Sequence, residues 1–550
     1  MNFDKKRLLQ ITILVILLSI MFSGLAFADT GEETAPAVYS TFWSLLPPLI
    51  AIGLALITKE VYSSLFIGIL AGALLVANGN PVTAITTMVG DGFISSLSDS
   101  WNVGILIFLV ILGIIVVVMN KAGGSLAYGE WARDKITTRK GAMGATFGLG
   151  VLIFIDDYFN CLTVGSVMRP VTDTHNISRA KLAYIIDATA APICMIAPIS
   201  SWAAAVTGVV EGYNGLELFI KAIPYNFYSL LTIVMMIFII FKDLDYGPMR
   251  KYERNAVLHN DIFTDSKTPY EDEIKEPTSS KGRVIDLVLP IIILIIFSII
   301  GMIYTGGFFS GETFIDSFAN SDASLGLAMG SLVSLLLTFV WIVARRVLSF
   351  NEFMECIVKG FNAMVPAILI LTFAWTLSSM TGALGAAPYV AGIVEGSAGG
   401  LQALLPAIIF LVATFLAFAT GTSWGTFGIL IPIIVGLGAT LSPDMLIIGI
   451  SACLAGAVCG DHCSPISDTT IMSSTGAQVQ HMVHVSTQLP YALTVAAVSF
   501  VTYIVAGFTE SLIALPIGII LMVGTLMVIQ KTTGRKGFSD IHEEKVQDTN

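Results

Sequence analysis

Five carboxylates stand where carboxylates are costly: Asp156, Asp157, Asp187, Asp461 and Asp468 all fall within or beside long apolar runs. An ionised side chain at bilayer depth costs about 2.5–3.5 kcal/mol even on a lenient insertion scale. A nearby lysine or arginine usually offsets that cost. Here the apolar runs hold almost none, Arg169 being the nearest. A carboxylate with no fixed counter-charge must carry a proton or hold a mobile cation. If one group takes H+ or Na+ but not both, and only the occupied form changes conformation, the result is exchange. Hard cations favour oxygen ligands, and oxygens cluster around these acids. They are Asp157, Asn160 and Thr163; Ser200 and Ser201 after Pro198; Thr420, Thr422 and Ser423; and Asp461, Ser464, Ser467, Asp468 and Thr469 around Pro465. Asp157 and Asp461 are expected to hold Na+, and Asp157, Asp461 and Asp187 to couple protons.

Each residue also has a plainer reading. Asp156 or Asp157 would serve as a helix N-cap, and Asp468 as a cap at another helix end. Asp187 lies close enough along a helix to Lys181 for an interfacial ion pair. His462 is either a pH-sensing neighbour or a packed core histidine, while His481 and His484 read as loop residues. Trp202, Trp375 and Trp424 are packing groups or cavity walls. Cys459 and Cys463 with His462 and Asp461 make a weak zinc pattern, since no second outlying pair completes it. There is no phosphate-cradling Gly-rich motif. The order Asp157-Tyr158 and the Val458-Cys459-Gly460-Asp461 run depart from an intramembrane aspartyl protease. The chain is not expected to be an enzyme, and no cofactor is expected beyond Na+ and H+ as travelling ions.

The elements that position these residues follow from composition. Apolar residues are 55% of 550 and charged residues 12%, where a soluble domain carries about 25% charge. Such a chain belongs in a lipid bilayer. A spanning helix needs roughly 17–25 apolar residues. Suitable runs are Tyr39–Ile57, Val61–Ala77, Val103–Asn120, Tyr225–Phe241, Leu287–Ile303, Gly326–Ala344, Phe361–Thr381, Gln488–Phe508 and Ser511–Ile529. Two more, Tyr184–Val209 and Met445–Gly460, carry or adjoin an acid. Lys5, Lys6 and Arg7 precede an apolar run and Ala26-Phe27-Ala28, so the start is either a secretory signal or a first helix. Lysine and arginine placement puts the Lys121–Lys140 loop, the Lys242–Arg283 loop, Arg345–Arg346 and the tail inside. That assignment holds only if Met143–Met168 enters and leaves on one side as a re-entrant hairpin.

The two halves resemble each other at a near-constant offset. The hairpin around Asp157, closed by Pro170, matches Ala419–Gly425 followed by Pro432, and Ala197–Ser201 matches Ser464–Asp468. The expected fold is an all-α polytopic membrane protein. It has two inverted-topology repeats of five transmembrane helices plus one re-entrant hairpin each, with extra N- and C-terminal helices. The divisions are 1–29 (signal or first helix), 39–241 (first repeat), 242–283 (cytoplasmic linker), 284–508 (second repeat), 511–529 (last helix) and 530–550 (tail). Transporters built on such repeats bind near the midplane, between interrupted helices.

Three stretches carry a family likeness: Phe154–Gly165 (reading Phe-Ile-Asp-Asp-Tyr-Phe-Asn-Cys-Leu-Thr-Val-Gly), Met168-Arg169-Pro170-Val171-Thr172-Asp173, and Gly460-Asp461-His462-Cys463-Ser464-Pro465-Ile466-Ser467-Asp468-Thr469-Thr470. They resemble the NhaC-type Na+/H+ antiporter family of the ion-transporter superfamily, over roughly residues 40 to 530. The resemblance implies Na+ and H+ as partners, a multi-pass place in the bacterial cytoplasmic (inner) membrane, and a homodimer. Some relatives of that kind exchange malate for lactate or carry amino acids, so the alternative expectation is a Na+- or H+-coupled carboxylate or amino-acid transporter. A small organic anion would look to Arg169 and the hairpin tips. No nucleic acid is expected as a partner.

Overall fold

The computed structural model describes residues 36–532 except 59, 155–156, 199, 201, 204–205, 207–214, 265–278, 387, 390–391, 393–401 and 437–440. The expectations for the N-terminal segment, Asp156, Ser201 and most of the tail therefore lie outside the described residues. Among those described, seven helices are long and apolar enough to cross a membrane, and three further pairs join at bends. The chain is a helical, multi-pass membrane protein.

The first half begins with α1 (Leu46–Thr58) and α2 (Val61–Val76). The Glu60 carboxylate caps α2 by accepting from the Tyr62 and Ser63 amides. After a 120° bend comes α3 (Pro81–Ser98). Asp99 then caps α4 (Ser100–Lys121), followed by α5 (Gly124–Lys135). The stretch expected to form the first hairpin holds two helices, α6 (Arg139–Leu152) and α7 (Asp157–Thr174). Helix ends leave carbonyls without partners, and at this break Asn160 supplies the donor. Its amide nitrogen lies 2.7 Å from the Gly150 carbonyl, 2.8 Å from that of Ile153 and 3.0 Å from that of Thr189. One side chain thus ties the break to the end of α8 (Arg179–Thr189).

The expected Tyr184–Val209 crossing is interrupted. The chain leaves α8 at Ala190, makes one turn over Ala191–Cys194, and Ser200 closes the next turn by donating to the Cys194 and Ala197 carbonyls. Helix α9 (Phe227–Lys242) completes this half. The linker then forms α10 (Met249–His259). Glu253 on it accepts from the Ser178 amide at 2.8 Å and pairs with Arg139.

The second half holds α11 (Ile285–Thr305), α12 (Ala323–Ala344) and the long α13 (Phe350–Ala383), which bends by 41°. The pair α14 (Leu405–Thr420) and α15 (Ser423–Gly436) follows, turning at Gly421 with φ +71°. Then come α16 (Pro443–Cys463), α17 (Asp468–Gly476), α18 (His481–Thr509) and α19 (Ala514–Thr532). Burial ranks these helices. The apolar window of α16 is 83% buried against 44% in α11 and 22% in α19. Helix α16 is therefore central, and the other two present most of their surface outward, where lipid would cover it.

Candidate functional site

Two crossings of small residues set the site. A Cβ on Gly460 of α16 would lie 2.2 Å from the Thr414 carbonyl of α14, so glycine lets these backbones touch. On α7 and α17, a Cβ on Gly476 would lie 2.4 Å from the Cys161 carbonyl, and one on Gly165 2.4 Å from the Gly476 backbone. Tyr158, Cys161 and Gly165 recur at helical spacing and share one face of α7. That face lies on α17, where Ser473 donates to the Cys161 sulfur at 3.1 Å.

The contact delivers Tyr158 to Asp468. The Tyr158 hydroxyl donates to Asp468 Oδ2 at 2.6 Å, and the Thr469 amide donates to Asp468 Oδ1 at 2.8 Å. The Thr469 hydroxyl then donates to Asp461 Oδ2 at 3.0 Å and stands 3.0 Å from the Ser467 hydroxyl. Asp461 is 1% exposed, and its Oδ1 has no hydrogen-bond partner among the described residues. Burying such an acceptor without a donor is costly. The helix break between Cys463 and Asp468 makes this possible: Asp461 lies in the last turn of α16, Asp468 begins α17, and Ser467 is the N-cap of α17, accepting from the Thr470 amide.

Asp187 forms a second centre beside the first. Its Oδ2 accepts from Gln488 Nε2 at 2.6 Å and from the Thr470 hydroxyl at 3.3 Å, and lies 3.1 Å from His484 Nε2. His462 bridges the halves, with Nε2 2.9 Å from the Asp187 carbonyl and Nδ1 3.1 Å from the Tyr228 hydroxyl. The ion pair considered between Lys181 and Asp187 does not form. Lys181 pairs instead with Asp245 from the linker, on which the Tyr491 hydroxyl also converges at 3.1 Å. Nor are His481 and His484 loop residues. Helix α18 begins at His481, so both are buried in its first turns, His481 lying 2.7 Å from the Pro465 carbonyl.

The remaining oxygens divide. Asp157 is fully buried as the first residue of α7, its Oδ1 accepting from the Tyr158 amide at 3.2 Å. Asn160 Oδ1 and Thr163 Oγ1 are buried with no hydrogen-bond partner among the described residues. Thr420 and Thr422 line a cavity that reaches Asp468 and Tyr158. By contrast, Ser423 donates to the Ala457 carbonyl at 3.1 Å and Ser464 to that of Phe418 at 2.8 Å, each fastening neighbouring helices. Ser200 is likewise occupied with its own turn.

Four members of this network had no role assigned from the sequence: Tyr158, Thr470, Gln488 and Tyr228. His484 and Gln488 gave a usable signal, being four apart and polar on a helix whose remainder is mostly apolar. Tyr228 gave none.

A bundle of apolar helices, broken at several points, thus encloses linked carboxylates in a multi-pass membrane protein. Residues 182–508 match the Na+/H+ antiporter family, more than half of the chain. The chain belongs to that family. It is 39% identical over 494 residues to an uncharacterized protein of Haemophilus influenzae, covering 86% of this chain and 92% of that one. It is 30% identical over 186 residues to the malate-2H(+)/Na(+)-lactate antiporter of Bacillus subtilis, covering 32% and 38% respectively. It is 29% identical over 245 residues to the arginine/ornithine antiporter ArcD of Halobacterium salinarum, covering 43% and 44%.

Proposed function

We propose that the protein exchanges Na+ for H+ across the cytoplasmic membrane by alternating access between two inverted repeats. One observation carries this reading: Asp461 is buried with an open carboxylate oxygen, and Thr469 bonds it into one oxygen cluster with Asp468. A proton on Asp461 would satisfy the open oxygen as a donor. A desolvated Na+ would satisfy it as a ligand-seeking cation, with Asp468, Thr469 and Ser467 supplying further oxygens. The two occupants compete for the same atoms, which is the requirement for coupling. Asp157 and Asp187 flank this cluster on α7 and α8, the helices that Asn160 ties together. Proton movement through the first half would pass by them. Interrupted helices free the backbone for such a site in many transporters.

A second reading has a specific observation behind it. The cavity beside Asp468 is larger than an inorganic cation needs, and two relatives are named for organic cargo. In that reading the same carboxylates couple Na+ or H+ to a small carboxylate or amino acid. Proteoliposomes separate the two. Na+-dependent collapse of an imposed ΔpH with no organic solute supports cation exchange. Silence there, with recovery on adding malate, lactate or arginine, supports the second reading and refutes the first.

A further inference from the structure

The cavity at Asp468 has a volume of about 540 Å3, within the roughly 300–1,000 Å3 range of pockets that enclose small organic molecules. Its walls combine two kinds of chemistry. Trp101, Trp375, Trp424 and Tyr158 give it aromatic surfaces, with the Trp101 and Trp424 ring centroids 5.7 Å apart. Among the described residues that line it, Asp468 is the one acid, and no lysine, arginine or histidine accompanies it. The other polar groups, such as Asn102, Asn320 and Ser378, are neutral.

Aromatic faces attract organic cations and hold ammonium groups in cages. A carboxylate at the end of such a chamber accepts the ammonium N–H groups. Tyr158 and Thr469 each donate one bond to the Asp468 oxygens, and each carboxylate oxygen can accept more than one. An anionic cargo entering here would meet Asp468 and find no cation on the described walls.

We infer that this cavity binds a small organic cation, its ammonium group on Asp468 and its body against Trp375 and Trp424. The inference rests on the reading that Asp468 belongs to the cation path, and it narrows the organic cargo of that path to one class. An amine and the α-ammonium end of an amino acid present the same group, and the test separates them.

The test uses the full-length protein in proteoliposomes, measuring radiolabelled Na+ counterflow at equal internal and external pH. Benzylamine, benzyl alcohol and benzoate share a shape and differ in charge. Intrinsic tryptophan fluorescence of the purified protein reports binding of each. Benzylamine is expected to quench that fluorescence and to inhibit Na+ counterflow competitively, while benzyl alcohol and benzoate do neither. Phenylalanine matching benzylamine identifies an amino acid as the cargo, and its failure identifies a plain amine. Trp375→Leu should raise the half-inhibitory concentration of benzylamine about three- to thirtyfold. Na+ counterflow in that variant should persist, which also shows that it folds. Na+ counterflow untouched by benzylamine overturns the inference and leaves Na+ transport standing. Benzylamine binding without any Na+ counterflow does the reverse.

Discussion

Replacing Gly476 with alanine adds one methyl group where α17 crosses α7. That methyl would lie 2.4 Å from the Cys161 carbonyl, whereas ordinary contact begins at 3.4 Å. The neighbouring atom is backbone, so α7 must move away by about 1 Å to restore an ordinary separation. Tyr158 lies one turn from Cys161 on the same face of α7, and its hydroxyl is 2.6 Å from Asp468. The same shift carries it beyond hydrogen-bond range. A hydrogen bond to a charged group is worth about 1.5–3 kcal/mol, so exchange should fall about ten- to hundredfold. Helix propensity runs the other way, favouring alanine over glycine by about 1 kcal/mol, so melting of α17 would not explain the loss. The assay is Na+-driven dissipation of ΔpH in everted vesicles, normalised to the amount of protein in the membrane. Tyr158→Phe removes the same hydroxyl without moving a helix and should show a loss of similar size. Wild-type exchange in both variants would refute the reasoning, because the α7–α17 contact would then matter only for packing.

Other consequences concern single groups. Asp461→Asn and Asp157→Asn should each reduce exchange to background while immunoblots show undiminished protein in the membrane. Gln488→Leu removes the donor to Asp187 at 2.6 Å and to the His462 carbonyl at 2.8 Å. Unfolding in detergent should show a loss of about 1–3 kcal/mol. Lys181→Met removes the cation paired with Asp245, leaving the Tyr491 hydroxyl as a neutral donor to it, and should destabilise by about 3–5 kcal/mol, with much of the loss recovered when Asp245→Leu is added. Thermal denaturation of the two variants side by side checks that recovery. Glu253→Gln should weaken the hold of α10 on Arg139, read as faster proteolysis within Met249–His259.

What the sequence revealed and what it hid have separate causes. Spanning helices were readable because bilayer thickness imposes their length and polarity directly: Gly326–Ala344 was expected and Ala323–Ala344 is found. The division between α6 and α7 was readable because acids interrupt the apolar run there. Helix α13 begins at Phe350, well before the expected Phe361, because Glu352, Glu355 and Lys359 masked its first turns as loop. Helix α18 begins at His481 for a similar reason, its polar first turns hiding a buried segment. The bond between Tyr158 and Asp468 joins residues 310 positions apart. Only the packing of α7 on α17 decides that pairing, and no local pattern encodes it. The docking of α10 was hidden likewise, since Glu253 finds Ser178 and Arg139 across the fold.

Equilibrium binding of radiolabelled Na+ to the purified protein bears most directly on Asp461 as the shared seat of Na+ and H+. The wild-type protein should bind Na+ in competition with protons, and Asp461→Asn should lose that binding while remaining folded in detergent. Undiminished, proton-sensitive Na+ binding by Asp461→Asn would contradict the account.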